Sequence, residues 1–118
     1  MKSSSLELLF DTLWEQDYPE LPAPEQECKV IEGRRFRFDR CWRDARVLAS
    51  LQGGVWSRGR HTRGAGYERD CEKLCLAAAE GYRVFYLTTT MLRNDPARWL
   101  GLIADLLTES YAKPPSPA

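Results

Sequence analysis

The stretch Phe36-Arg37-Phe38-Asp39-Arg40-Cys41-Trp42, followed by Arg46-Val47-Leu48-Ala49-Ser50-Leu51-Gln52-Gly53-Gly54, decides the fold class. Its first half alternates. Arg35, Arg37 and Asp39 share one face and Phe36, Phe38 and Arg40 the other, so residues 34–42 are predicted to form a strand. The second half is a short apolar run closed by two glycines, which predicts a mostly buried strand over residues 46–52. Upstream, Glu32-Gly33 signals a turn, and residues 26–31 can form a short edge strand that makes a hairpin with 34–42.

Helical spacing appears on both sides of these strands. Ser3, Ser4 and Ser5 offer N-caps, and Leu6, Leu9, Phe10, Leu13 and Trp14 then recur as one apolar stripe, predicting a helix over residues 5–17. Pro19, Pro22 and Pro24 end it. Residues 55–66, with Gly59, Gly64 and Gly66, read as a loop. A helix is predicted over residues 67–80, with Tyr67, Cys71, Leu74, Cys75 and Ala78 as its apolar stripe and Gly81 as its C-cap. Residues 82–88 read as a central strand, and residues 95–110 as a last helix with Trp99, Leu102, Ile103, Leu106 and Leu107 inward. A helix between the third and fourth strands allows those two to lie parallel. The expected architecture is one small α/β domain over residues 1–111, followed by a disordered Pro-rich tail at 112–118. A chain of 118 residues accommodates one such core.

Net charge is zero, yet ten arginines fall between Arg34 and Arg69, opposed there only by Asp39, Asp44 and Glu68. Guanidinium forks suit bidentate phosphate contacts, and Trp42 and Trp56 are interleaved with them, so nucleic acid is weighed evenly against a solvated basic surface. No apolar run approaches the length of a membrane span, and Glu7 and Asp11 interrupt the first apolar segment. The expectation is a cytoplasmic protein, not a membrane one, with Cys28, Cys41, Cys71 and Cys75 as reduced thiols.

Several residues could carry chemistry. Asp39 is expected beside the tip of the neighbouring strand at Ser50 to Gln52, and a carboxylate there can hold Mg²⁺ (or Mn²⁺) for phosphodiester hydrolysis. Asp70 and Lys73 share a helix face; a lysine there can orient water or hold a phosphate oxygen, although on spacing alone an ordinary surface ion pair is the simpler explanation. The loop Trp56-Ser57-Arg58-Gly59-Arg60-His61-Thr62-Arg63-Gly64 combines glycines, which permit close backbone approach, with Arg58, Arg60 and Arg63. His61, the one histidine, could act there as a general acid or phosphate ligand. The cysteines lack a C-x-x-C pair; Cys28 and Cys41 fall on strands, Cys71 and Cys75 on the apolar stripe of a helix, and buried small hydrophobes explain them better than zinc.

As a linked set, Phe36-Arg37-Phe38-Asp39, Gly53-Gly54-Val55-Trp56, Gly59-Arg60-His61, Asp70-x-x-Lys73 and Gly81-Tyr82-x-Val84 resemble small single-domain phage and prophage endonucleases. These belong to the PD-(D/E)XK, or restriction-endonuclease-like, superfamily, near the very-short-patch repair endonucleases. The resemblance runs from about Ser5 to Leu107. It implies an αβββαβ core with a C-terminal helix and metal-dependent cleavage of DNA. It also implies a metal at Asp39, with Gln52 as the neighbouring candidate ligand, Asp70 and Lys73 flanking from the helix, and Glu7 matching an acid often found on the first helix.

One departure stands out. Such relatives read acid–apolar–acid or polar–Gly-Gly in the third strand, where this chain has Ser50-Leu51-Gln52-Gly53-Gly54. Serine is a poor Mg²⁺ ligand beside a carboxylate. Three explanations stay open: a DNA-binding module without cleavage, replacement of the lost ligand by Glu7 or Asp70, or a weak enzyme relying on Asp39, Gln52 and Lys73. A protein-interaction domain that uses only the scaffold is a further reading, against which the arginines argue. A single copy could nick one strand; cutting both strands at one place would suit a homodimer.

Overall fold

The computed structural model describes residues 5–53 and 65–112. In it, Leu6, Phe10 and Trp14, spaced one turn apart, form the buried stripe of helix α1 (Ser5–Asp17). The chain then runs through strands β1 (Glu25–Cys28), β2 (Phe38–Trp42) and β3 (Val47–Gln52), helix α2 (Ala65–Ala79), strand β4 (Arg83–Thr88), and helices α3 (Thr89–Asn94) and α4 (Pro96–Ala112). The described strands form one sheet in the order β1-β2-β3-β4. β1 and β2 are antiparallel, as are β2 and β3, while β3 and β4 run parallel with Ser50 opposite Tyr86 and Gln52 opposite Thr88. The expected mixed α/β architecture and element order are therefore present.

Each face of the sheet has its own core. On one, Leu6, Phe10 and Trp14 of α1 meet Trp42, Val47, Ala49 and Leu87 of the sheet and Leu92, Leu100, Ile103 and Leu107 of the last two helices. On the other, Cys28, Ile31, Phe38, Cys41 and Leu48 pack with Ala77 of α2. Helix α2 ends as Gly81 predicts. This glycine adopts φ 86°, its N–H bonds to Ala78 O at 2.9 Å, and the N–H of Tyr82 reaches Ala77 O at 3.0 Å.

Five sequence expectations need correction, the simplest being that Leu102, expected inward on the last helix, is exposed. The hairpin strands are shorter than 26–31 and 34–42, because residues 34–37 leave the ladder: Arg34 pairs with Glu72 of α2 at 2.7 Å and lies over Phe36. Strand alternation put Phe38 and Arg40 on one face, yet Phe38 joins the α2-side core while Arg40 is engaged by α1. The apolar stripe expected on α2 is displaced: of its members Tyr67, Cys71, Cys75 and Ala78 are exposed and Leu74 is half-buried, while Lys73 lies over Phe38 and Leu76 and Ala77 pack against the sheet. Cys71 and Cys75 are thus exposed, whereas Cys28 and Cys41 are buried. Helix α3 was also not foreseen, since three consecutive threonines favour a strand; instead Thr88 caps it, its hydroxyl accepting from Met91 N at 3.2 Å.

Candidate active site

Antiparallel pairing brings the beginning of β2 beside the end of β3, and the parallel β3–β4 pair ends at the same edge. Asp39, the second residue of β2, is fixed there. Its Oδ2 accepts the backbone N–H of Leu51 at 2.6 Å, which ties the carboxylate of one strand to the backbone of the next. Ser50 and Gln52, two apart on β3, share a face, and Gln52 Nε2 donates to Ser50 Oγ at 2.9 Å. Ser50 is buried, with 5% of its surface exposed, so the place where an acid would be expected is closed rather than open to solvent.

Helix α2 brings Lys73 onto this corner. Its Nζ stands 4.5 Å from the centre of the Phe38 ring, a cation–π contact. Burial pushes the Lys73 ammonium down, and the carboxylates of Asp39 and Asp70 both oppose that shift. Asp70 itself is exposed on α2. Tyr86, paired in register with Ser50, belongs to the same electrostatic neighbourhood: burial pushes its phenol up, and Asp70, Cys71 and Asp39 push it further. The carboxylates of Asp39 and Asp70 thus act on both Lys73 and Tyr86. Tyr86 escaped the sequence reading because an aromatic in a central strand reads as core; its register with Ser50 is visible only once β3 and β4 are paired.

Glu7 is engaged by Arg40 of β2. Its carboxylate pairs with Arg40 Nη1 at 3.2 Å, while Asp11 takes the same guanidinium in a fork at 2.9 and 2.7 Å. Arg40 is fully buried. Burial works against its charge, but the hydrogen bonds and charges of Asp11 and Glu7 outweigh it and raise its pKa. Arg40 also donates to Asp39 O at 2.6 Å, so the guanidinium held by α1 is tied to the backbone beside the candidate site. Arg58, Arg60, His61 and Arg63 lie outside the described residues.

The donor set meets the minimum for Mg²⁺, which proteins hold through one or two carboxylates together with water and substrate phosphates. Asp39 keeps a second carboxylate oxygen beyond the one bonded to Leu51, and Gln52 keeps its carbonyl oxygen while its amide nitrogen serves Ser50. Comparison with protein-family models, with curated proteins and with solved structures gives no match to this chain.

Proposed function

We propose that this chain is a DNA-directed domain of the restriction-endonuclease-like type, a metal-dependent endonuclease whose phosphodiester-cleaving centre is weakened by Ser50. The observation that carries the reading is the gathering of Asp39, Asp70 and Lys73 at the edge where β2 begins and β3 and β4 end. Open α/β sheets commonly bind ligands beyond the carboxyl ends of parallel strands. Asp39 and Gln52 would hold Mg²⁺, which when bound polarises the scissile phosphate and activates water. Lys73 supplies a positive charge for a phosphate oxygen, and its contact with the Phe38 ring restricts where that charge can go. Asp70 faces solvent at the helix margin, where it can accept a proton from water. Arg58, Arg60 and Arg63, with His61, would supply phosphate contacts.

A non-catalytic DNA-binding reading is favoured by one observation: the place of the expected acid is taken by Ser50, a buried neutral hydroxyl already bonded by Gln52 Nε2. Two measurements separate the readings. Cleavage of duplex, nicked and branched DNA with Mg²⁺ or Mn²⁺ is expected to be slow but metal-dependent and lost in Asp39→Ala. No cleavage together with salt-sensitive DNA binding would favour the binding module. Replacing Arg60 and Arg63 with alanine should lower the salt slope by about one unit per lost phosphate contact. An unchanged slope removes that loop from the interface, and absence of any DNA binding overturns both readings.

A further inference from the structure

Away from the Asp39 corner, β1 and β2 bring together a second set of ligand-type side chains. Glu25 lies directly opposite Cys41 in the ladder, and Cys28 lies opposite Phe38. In a regular strand residues 25 and 28 would point to opposite faces. Glu27 prevents this: it adopts φ 50°, the left-handed conformation that non-glycine side chains rarely take, and the alternation breaks between Glu25 and Cys28. As a result the carboxylate of Glu25 and the sulfurs of Cys28 and Cys41 all lie within 4.8 Å of one another. Tetrahedral zinc with Zn–S bonds of about 2.3 Å holds its sulfurs about 3.8 Å apart, so this grouping needs only small side-chain movements to close on an ion.

We propose that Glu25, Cys28 and Cys41 form a binding site for a thiolate-seeking divalent cation of the zinc class, which pins edge strand β1 to β2. Two thiolates and one carboxylate select such an ion over Mg²⁺ or Ca²⁺, which prefer oxygen. With both thiols deprotonated, the three ligands carry one negative charge more than the ion neutralises. Arg43 offsets it: its Nε contacts both Glu25 oxygens, at 3.0 and 2.9 Å. A carboxylate offers about four lone-pair positions, so Glu25 can serve Arg43 and an ion together. Access comes from the side. A cavity of about 220 Å³ is lined by Glu25, Cys41, Arg43, Asp44 and Tyr111 among others, which gives an entry path and room for a water as fourth ligand. Ion uptake releases both thiol protons. The site shares no ligand with the Asp39 corner, so it stands whether or not the chain cleaves DNA.

The test uses full-length protein carrying Cys71→Ser and Cys75→Ser, which removes the two exposed thiols, kept reduced with a phosphine. Titration with Co²⁺ should give one bound ion per chain, with thiolate-to-cobalt charge transfer in the near ultraviolet and the strong visible bands of tetrahedral cobalt. Zn²⁺ should displace the cobalt and raise the unfolding midpoint. Cys28→Ser and Cys41→Ser should each abolish the charge-transfer band. Because buried cysteines can fail on substitution for structural reasons, Glu25→Gln serves as the second variant: the residue is exposed, the fold should survive, and affinity should fall by about tenfold or more. Absence of the band in the folded double-serine protein overturns the site. So does a band that survives loss of Cys28 and Cys41, or an affinity and spectrum unchanged by Glu25→Gln.

Discussion

The carboxylate of Asp39 on β2 accepts the backbone N–H of Leu51 on β3 at 2.6 Å. One bond therefore both joins two strands and aims the acid on which the candidate chemistry rests. Asp39→Asn keeps an acceptor for Leu51 and should leave the fold intact while abolishing Mg²⁺-dependent cleavage. Asp39→Ala removes the acceptor as well, and should cost about 1–3 kcal/mol of stability for the unsatisfied amide. Urea denaturation of the two variants beside their cleavage rates checks this; equal loss of stability in both would mean that the bond to Leu51 does not hold the strand edge.

Ser50→Glu tests the missing acid. A glutamate there restores a second carboxylate beside Asp39, and Mg²⁺-dependent cleavage should rise at least about tenfold, equivalent to about 1.4 kcal/mol of barrier. Asp39→Ala in that background should abolish the gain. The burial of Ser50 adds a second expectation: the apo variant should be less stable than wild type, and Mg²⁺ should recover part of the loss, because the ion offsets a buried carboxylate at position 50 beside that of Asp39. If the variant is folded and binds DNA and metal but does not cleave, more than one residue has been lost.

The buried Arg40 depends on Asp11. Removing one partner of a buried pair leaves a charge with fewer contacts, and Asp11→Ala should destabilise by about 3 kcal/mol. Arg40→Met should cost less, since the carboxylates of Glu7 and Asp11 reach solvent and the cation that needed them is gone. Chemical denaturation would rank the two; the reverse order would show that the guanidinium contributes more through packing than through charge.

Lys73 gives a pH signature. Burial holds the folded-state ammonium below its ordinary value of 10.5, with Asp39 and Asp70 opposing the shift. Between the lowered folded value and 10.5 the unfolded chain binds more protons than the folded one, so stability should rise with pH across that alkaline window. Below the folded value the burial penalty is present in full. Lys73→Met should flatten this slope and raise stability near neutral pH by roughly 1 kcal/mol, while lowering any cleavage. Denaturation midpoints measured from neutral to alkaline pH decide it; an unchanged slope would mean that Lys73 reaches water in the folded protein.

The sequence by itself determined the order of elements and several of their ends. Leu6, Phe10 and Trp14 repeat at helical period, Val47 to Leu51 form a short apolar run before Gly53, and Gly81 closes α2. These signals are local, set by side-chain period and backbone freedom within a few residues. Asp39, Asp70 and Lys73 could be named as candidates for the same reason, since residue type and spacing sufficed. What tertiary structure alone decided were the facings and the partners. Lys73 turns toward the sheet because its methylene stem and ammonium can cover Phe38, a contact that helical periodicity assigns to an apolar residue instead. Arg40 is buried because Asp11, 29 positions away, forks onto it. Cys28 and Cys41 meet Glu25 because one left-handed residue, Glu27, breaks the alternation on which strand reading relies. Each of these rests on groups distant in sequence whose approach is fixed by strand register and backbone geometry, and spacing along the chain carries no record of either.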